Sequence, residues 1–213
     1  MNAVLISIRP EWVAKICSGK KTIEVRKTRP KIKTPFKCYI YCTNDRKTML
    51  ERSNYDKSIY LNSNIYYPYK MDCSLNGKVI GEYICDEVFE YPYIDDGYSS
   101  GGDYHTITQD ECIKMCFDYN ELITYGNGKT LYGWHISDFK IYENPLELTD
   151  FIHQTGGCVN EYKCSGGKYL DIGIDGILED DCLADFDTDS YSILKHAPHS
   201  WCYVMKLKNN IEN

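Results

Sequence analysis

No run of apolar residues in this 213-residue chain approaches the roughly 20 needed to cross a bilayer, so a membrane-spanning class is not expected. The start, MNAVLISIRPEW, does not read as an export signal, because its apolar run covers only Ala3 to Ile6 and Arg9 follows. A cytoplasmic location is the expectation. The chain also lacks a Gly-rich phosphate loop, a dinucleotide-binding fingerprint, a Walker sequence, an HExxH motif and a Gly-x-Ser-x-Gly elbow. That removes the common nucleotide-hydrolase, dehydrogenase, zinc-protease and serine-hydrolase templates. No internal repeat and no βαβ rhythm are visible. The 11 cysteines are an odd number and cannot all pair within one chain. Without an export signal they read as reduced thiols, and Cys38 and Cys42 in FKCYIYCT sit where small apolar residues would pack.

Charge is abundant but unevenly placed. The net charge is -7, yet residues 1–57 carry 14 Lys and Arg against 5 Asp and Glu, whereas residues 86–190 carry 5 against 23. The mean argues against a protein that coats nucleic acid, and the asymmetry leaves room for one basic cleft on an acidic body.

The coarse pattern predicts a single domain over 1–213 of α+β class, with surface excursions at about 43–75 and 153–190. Val4 to Ile8 reads as a strand. Pro10 opens a helix with Trp12, Val13 and Ile16 as its apolar stripe, and Gly19 closes it. Lys21 to Arg26 and Phe36 to Cys42 read as strands, and Lys78 to Phe89 as one more. Thr108 to Tyr125 reads as a single helix with Asp110 and Glu111 in its first turn. LYGWHISDFKIY reads as a strand pair or one bent strand, with Gly133 as a bulge position. Asn144-Pro145 opens a short helix through Phe151, and Ser200 to Leu207 forms the closing strand. Few helices among many strands suggest a mixed or antiparallel β-barrel of about five to six strands with flanking helices and a long acidic insertion.

The densest constellation is Gly19-Lys20-Lys21-Thr22-Ile23-Glu24-Val25-Arg26, a Gly-x-Lys-x-x-Glu-x-Arg pattern at a helix-to-strand junction. Glu24 and Arg26 share strand parity and project from one face, where each favours the other's charge. Lys21 has the opposite parity but sits at the turn. Lys20, Lys27, Arg29, Lys31, Lys33 and Lys37 extend the basic run, which suits phosphates. Arg9, Trp12, Trp134 and Trp201 add guanidinium and aromatic faces on which a base can stack. Glu24 also suits an exocyclic amine such as that of cytosine.

With SIRPEWVAKICSGKK before it, YGWHISD in mid-chain and AP-x-SWCYV near the end, the motif resembles the ASCH family of the PUA-like superfamily, most of all its larger prophage-type bacterial members. The resemblance covers residues 1–42, 76–89, 131–151 and 196–207. It implies a PUA-like barrel that binds RNA, a nucleoside or a nucleotide beside the motif. Some members resemble amidohydrolases acting on N4-acetylcytidine through the motif Lys, a Thr three residues later and a Glu on a helix; others are linked to RNA cleavage. Here Lys21 is retained, Glu24 stands at the Thr position, and Glu111 is the nearest helical Glu. Lys21, Glu24 and Glu111 are therefore the catalytic candidates, and Arg9, Trp12, Lys21, Glu24, Arg26 and Trp134 the ligand-binding ones. In a hydrolytic scheme Glu24 would activate water and Lys21 stabilise an oxyanion, but Arg26 beside Glu24 favours the carboxylate and opposes the base role.

Cys158, Cys164 and Cys182, with His153 or His196, could ligate zinc, but C-x5-C is not a usual zinc spacing and no second close pair exists. No metal or cofactor is expected. His135 reads as a wall residue that hydrogen-bonds locally. The remaining class is an interaction protein whose acidic 86–190 segment mimics nucleic acid.

Overall fold

The first strand, β1 (Ala3–Ile8), is buried at all six positions. It lies between β12 (Trp201–Lys206, antiparallel) and β3 (Phe36–Cys42, parallel), so both its faces are covered and a continuous apolar run is what the position requires. In this computed structural model the described residues are 3–45, 47–62, 74–95, 102–154 and 191–207. They form twelve strands, three α-helices and one 3-10 turn, an α+β chain with about twice the strands expected.

The largest sheet has seven strands. It adds β6 (Val79–Cys85) and β9 (Ser137–Leu146) beyond β3, and β10 (Phe151–Gln154) and β11 (Tyr191–Ile193) beyond β12. A three-stranded sheet places β8 (Leu131–His135) between β2 (Ile23–Arg26) and β7 (Val88–Tyr91), and β4 (Met49–Arg52) pairs with β5 (Ile59–Asn62) as a hairpin. Among the described residues these ladders do not close on themselves. One apolar cluster fills one face of the large sheet, with Trp134 and Tyr83 fully enclosed. A second lies between β2, β7 and β8 and the helices α2 (Gln109–Met115) and α3 (Tyr119–Gly126), and a third, around Leu5, Tyr39 and Phe151, joins residues 148–151 and 194–197 to the large sheet.

Several expectations need correction. The run Lys78 to Phe89 is two strands in different sheets, divided at Asp86-Glu87, whose carbonyl at Glu87 receives the His135 backbone N–H. Thr108 to Tyr125 is two helices. Cys116 turns left-handed at φ 57°, and Asp118 opens α3 with a capping box to Glu121, just as Thr108 opens α2 with Glu111. Asn144-Pro145 lies inside β9, an edge strand where a missing N–H leaves no ladder bond unmade, and only Leu148–Asp150 is helical, as a 3-10 turn. Gly133 is not a bulge. It pairs in register with Val25 and Phe89, and a Cβ there would lie 2.9 Å from Ile23 Cγ2 and 3.0 Å from Tyr91 Cε2.

The excursion at 43–75 contains the β4–β5 hairpin, whose Leu50 is fully buried in the main core beside α1 (Pro10–Cys17). Asn76 ties it down by accepting from the Leu50 N–H at 2.9 Å and donating to Thr48 O at 2.9 Å. Most of the 153–190 insertion, with Cys158, Cys164 and Cys182, lies outside the described residues. His153 belongs to β10 and contacts Ser192 Oγ at 3.0 Å, and His196 is exposed. Among the described residues there is no group of three potential metal ligands and no helix long and apolar enough to cross a membrane. If the hairpin is part of the core, Leu50→Ala will cost about 2–5 kcal/mol, the range for emptying a buried leucine site. Urea unfolding measures this, and a loss under about 0.5 kcal/mol would show a detachable surface arm.

Candidate functional site

The helix α1 starts at Pro10 and buries Pro10, Val13 and Ile16; its backbone ends at Ser18, and Gly19 follows at φ 72° to turn the chain into β2. All four β2 residues are buried, but not against the same neighbours. Ile23 and Val25 enter the cluster with α2 and α3, while Glu24 and Arg26 line a cavity of about 620 Å³. That volume falls in the range of small-molecule sites. The cavity runs from β1 and α1 (Ser7, Arg9, Trp12) across β2 to the helical side (Phe117, Tyr125) and the approach to β12 (His199, Ser200).

Three charged groups meet in its wall. Glu24 Oε1 lies 3.0 Å from Arg26 Nη2, and Glu24 Oε2 lies 3.5 Å from Lys21 Nζ. Their side chains are 7%, 11% and 1% exposed in the order Glu24, Arg26, Lys21, far drier than a surface ion pair. Arg26 Nη2 also donates to Ser7 O at 2.7 Å, and Nη1 to Ser200 Oγ at 3.3 Å. Lys21 Nζ donates to Met115 O at 2.6 Å. Two polar atoms of this wall have no hydrogen-bond partner, Glu24 Oε2 and Arg26 Nε. The set carries two cations against one anion. Burial pushes the Lys21 ammonium below its ordinary value; Glu24 and Cys116 pull it up only in part, and Arg26 adds to the lowering.

The aromatic side is built by Trp12 and Phe117, stacked at 4.7 Å with planes 20° apart. Tyr125 continues it, 5.9 Å from Phe117. Lys21 Nζ sits 5.0 Å and 5.3 Å from the Trp12 and Phe117 ring centroids, and Lys15 Nζ stands 4.1 Å from that of Trp12. Lys27 Nζ lies 5.1 Å from the Tyr125 ring, leaving cations around the aromatic wall.

Of the residues singled out in the sequence, Arg9, Trp12, Lys21, Glu24 and Arg26 come together here, with the Arg9 side chain largely exposed at the rim. Trp134 does not line the cavity. It pairs with Glu24 across β2–β8 but is fully buried, edge-on to Phe36 and Trp201. Glu111 does not line it either. Its carboxylate accepts from the Thr108 N–H at 2.8 Å and from Tyr91 OH at 2.7 Å. Burial pulls that carboxyl upward, but these hydrogen bonds outweigh it and hold the group below its usual value. Trp201 Nε1 donates to Thr28 Oγ1, and His135 Nδ1 pairs with Asp86 at 2.7 Å, the local role expected of it. Sequence reasoning missed Phe117, Tyr125 and the Met115 carbonyl, because one continuous helix was expected there. The Asp118-x-x-Glu121 capping signature was the available signal.

No family model matches the sequence, and no curated protein matches it. Among solved structures, the chain is similar to the ASCH protein of Zymomonas mobilis. A tyrosine-to-phenylalanine mutant of that protein matches at 18% identity over 70% of this chain and 77% of that one, with a TM-score of 0.44. A second structure of the protein and a serine-to-alanine mutant each match at 18% identity over 68% and 73%, with a TM-score of 0.43. The family these structures are named for is the one the Gly-x-Lys-x-x-Glu-x-Arg motif resembles.

The lowered Lys21 value has a sign that can be tested. Between it and the ordinary lysine value of 10.5 the unfolded chain binds more protons than the folded one, so Lys21's contribution becomes more favourable as pH rises through that window. The stability difference between the wild type and Lys21→Met should therefore shift in favour of the wild type as pH climbs toward 10.5. Denaturant midpoints over a pH series report it, and a flat difference would contradict the assignment.

Proposed function

We propose that this chain is a binding module for RNA or a modified nucleoside, and that the cavity beside Lys21, Glu24 and Arg26 is where the ligand docks. The observation that carries the reading is a buried Lys21–Glu24–Arg26 cluster, in which Glu24 Oε2 and Arg26 Nε make no hydrogen bond, lining a cavity walled on one side by stacked aromatics. A buried acceptor and donor without hydrogen bonds are costly unless a ligand supplies them. A carboxylate and a guanidinium side by side, next to stacked rings, suit a planar heterocycle that carries both N–H groups and acceptors. The positive excess of the wall suits an anionic backbone or phosphate. The reading takes the seven- and three-stranded sheets as walls of a PUA-like β-barrel within one domain.

A second reading, hydrolysis of an N4-acetylcytidine-type amide or of RNA, draws on the 3.5 Å approach of Lys21 Nζ to Glu24 Oε2, which places a proton donor beside a carboxylate.

Calorimetric titration with cytidine, N4-acetylcytidine and a short single-stranded RNA separates these. The binding reading expects wild-type affinity for at least one, reduced about tenfold or more in Glu24→Gln and in Arg26→Lys, the scale of one hydrogen bond to a charged group. Far-UV circular dichroism checks that both variants fold. Wild-type protein that binds none of the three, or variants that bind equally well, would defeat it. Product released from N4-acetylcytidine or RNA by the wild type and not by Glu24→Gln would favour hydrolysis.

A further inference from the structure

We infer that Lys21 is a positioning residue, one that clamps the α2–α3 turn and the Trp12–Phe117 wall around Glu24, and that it does not itself touch the ligand. The inference rests on the binding reading above and assigns the labour within that site.

The proton inventory of the ammonium leads to it. A lysine has three N–H bonds and no acceptor. Lys21 Nζ directs one at Met115 O, 2.6 Å away. It stands 3.5 Å from Glu24 Oε2, an ion pair too long to count as a good hydrogen bond. Its remaining side lies over the Trp12 and Phe117 rings at 5.0 Å and 5.3 Å. Only 1% of the side chain is exposed. Glu24 and Arg26, by contrast, each keep a polar atom that makes no hydrogen bond. The cluster is thus divided between a lysine whose contacts are all internal and two neighbours with capacity to spare.

What Lys21 holds matters for the cavity. Met115 is the last residue of α2, where main-chain carbonyls run out of helical partners and a cation is favoured by the helix dipole. Two residues later Phe117 lies against Trp12 of α1. Two further bonds fasten the same junction, Thr22 N–H to Lys114 O at 2.9 Å and Cys116 Sγ to Lys20 O at 3.4 Å. Releasing the Lys21 bond leaves the end of α2 on those two bonds alone and loosens the ring that completes the aromatic wall.

A double-mutant cycle tests this. The variants are Lys21→Met, Phe117→Ala, the pair together, and Lys21→Gln, which keeps a neutral donor. Two readouts are taken: near-UV circular dichroism of the ligand-free protein, with Trp12→Phe identifying the Trp12 band, and affinity for cytidine and a short single-stranded RNA. Clamping predicts that Lys21→Met loses the Trp12 band and at least tenfold in affinity. The double variant then binds within about threefold of Lys21→Met, and Lys21→Gln restores the band and most of the affinity. The inference is overturned if Lys21→Met keeps the band while affinity falls, if the losses of Lys21→Met and Phe117→Ala multiply, or if Lys21→Gln binds no better than Lys21→Met. Should Lys21→Met not fold, Lys21→Gln decides alone, with a retained band supporting the clamp and a lost band refuting it. Wild-type protein that binds neither probe would defeat the binding reading, and the ligand-free band would still decide whether Lys21 holds the wall.

Discussion

Everything in the candidate site is arranged around a carboxylate that has lost nearly all its water, Glu24, bracketed by Arg26 at 3.0 Å and Lys21 at 3.5 Å. A lone buried carboxylate would be untenable at neutral pH, and two flanking cations make it tolerable. The cations need partners of their own, and these come from distant parts of the chain. Arg26 reaches Ser7 on β1 and Ser200 before β12; Lys21 reaches the end of α2. An eight-residue stretch thereby joins the large sheet, the small sheet and the helical pair.

The two faces of β2 express this constraint at the level of sequence. Ile23 and Val25 look into an apolar cluster and follow the ordinary rule for a strand. Glu24 and Arg26 occupy the alternate positions and are just as buried, which apolar patterning alone would not require. Where a short strand is enclosed on both sides and one side is ionic, the charges carry a desolvation cost that hydrophobic residues of similar size would not.

Much of this was legible beforehand, for identifiable reasons. The strand at Val4 to Ile8, the helix opened by Pro10 and ended near Gly19, and the β runs at Phe36 to Cys42 and Trp201 onward are written in local apolar pattern and punctuation. The convergence of Arg9, Trp12, Lys21, Glu24 and Arg26 was legible because all five lie within 18 residues on a helix–turn–strand unit. What escaped was decided by other parts of the chain. The break at Asp86-Glu87 follows from strands joining different sheets. The split at Cys116 was masked by apolar residues continuing on both sides, and Pro145 survives in a strand only because that strand is an edge. Met115 O and Ser7 O could not be foreseen at all, since a main-chain carbonyl has no letter in the sequence. Trp134 shows the converse: an aromatic in YGWHISD was expected to offer a stacking face, yet its ring is enclosed in the core against Phe36 and Trp201.

The bond from Arg26 to Ser200, with Ser7 N–H joined to Ser200 O and Ser7 Oγ to Pro198 O, brings residues 174 or more positions apart into one cavity. A nascent chain that has emerged through α3 already carries Lys21, Glu24, Arg26 and the aromatic wall, but the guanidinium still lacks one of its anchors and β1 one of its neighbours. The enclosure is therefore complete only once β12 has been made and seated, and a chain ended before it would hold the charged residues without that enclosure.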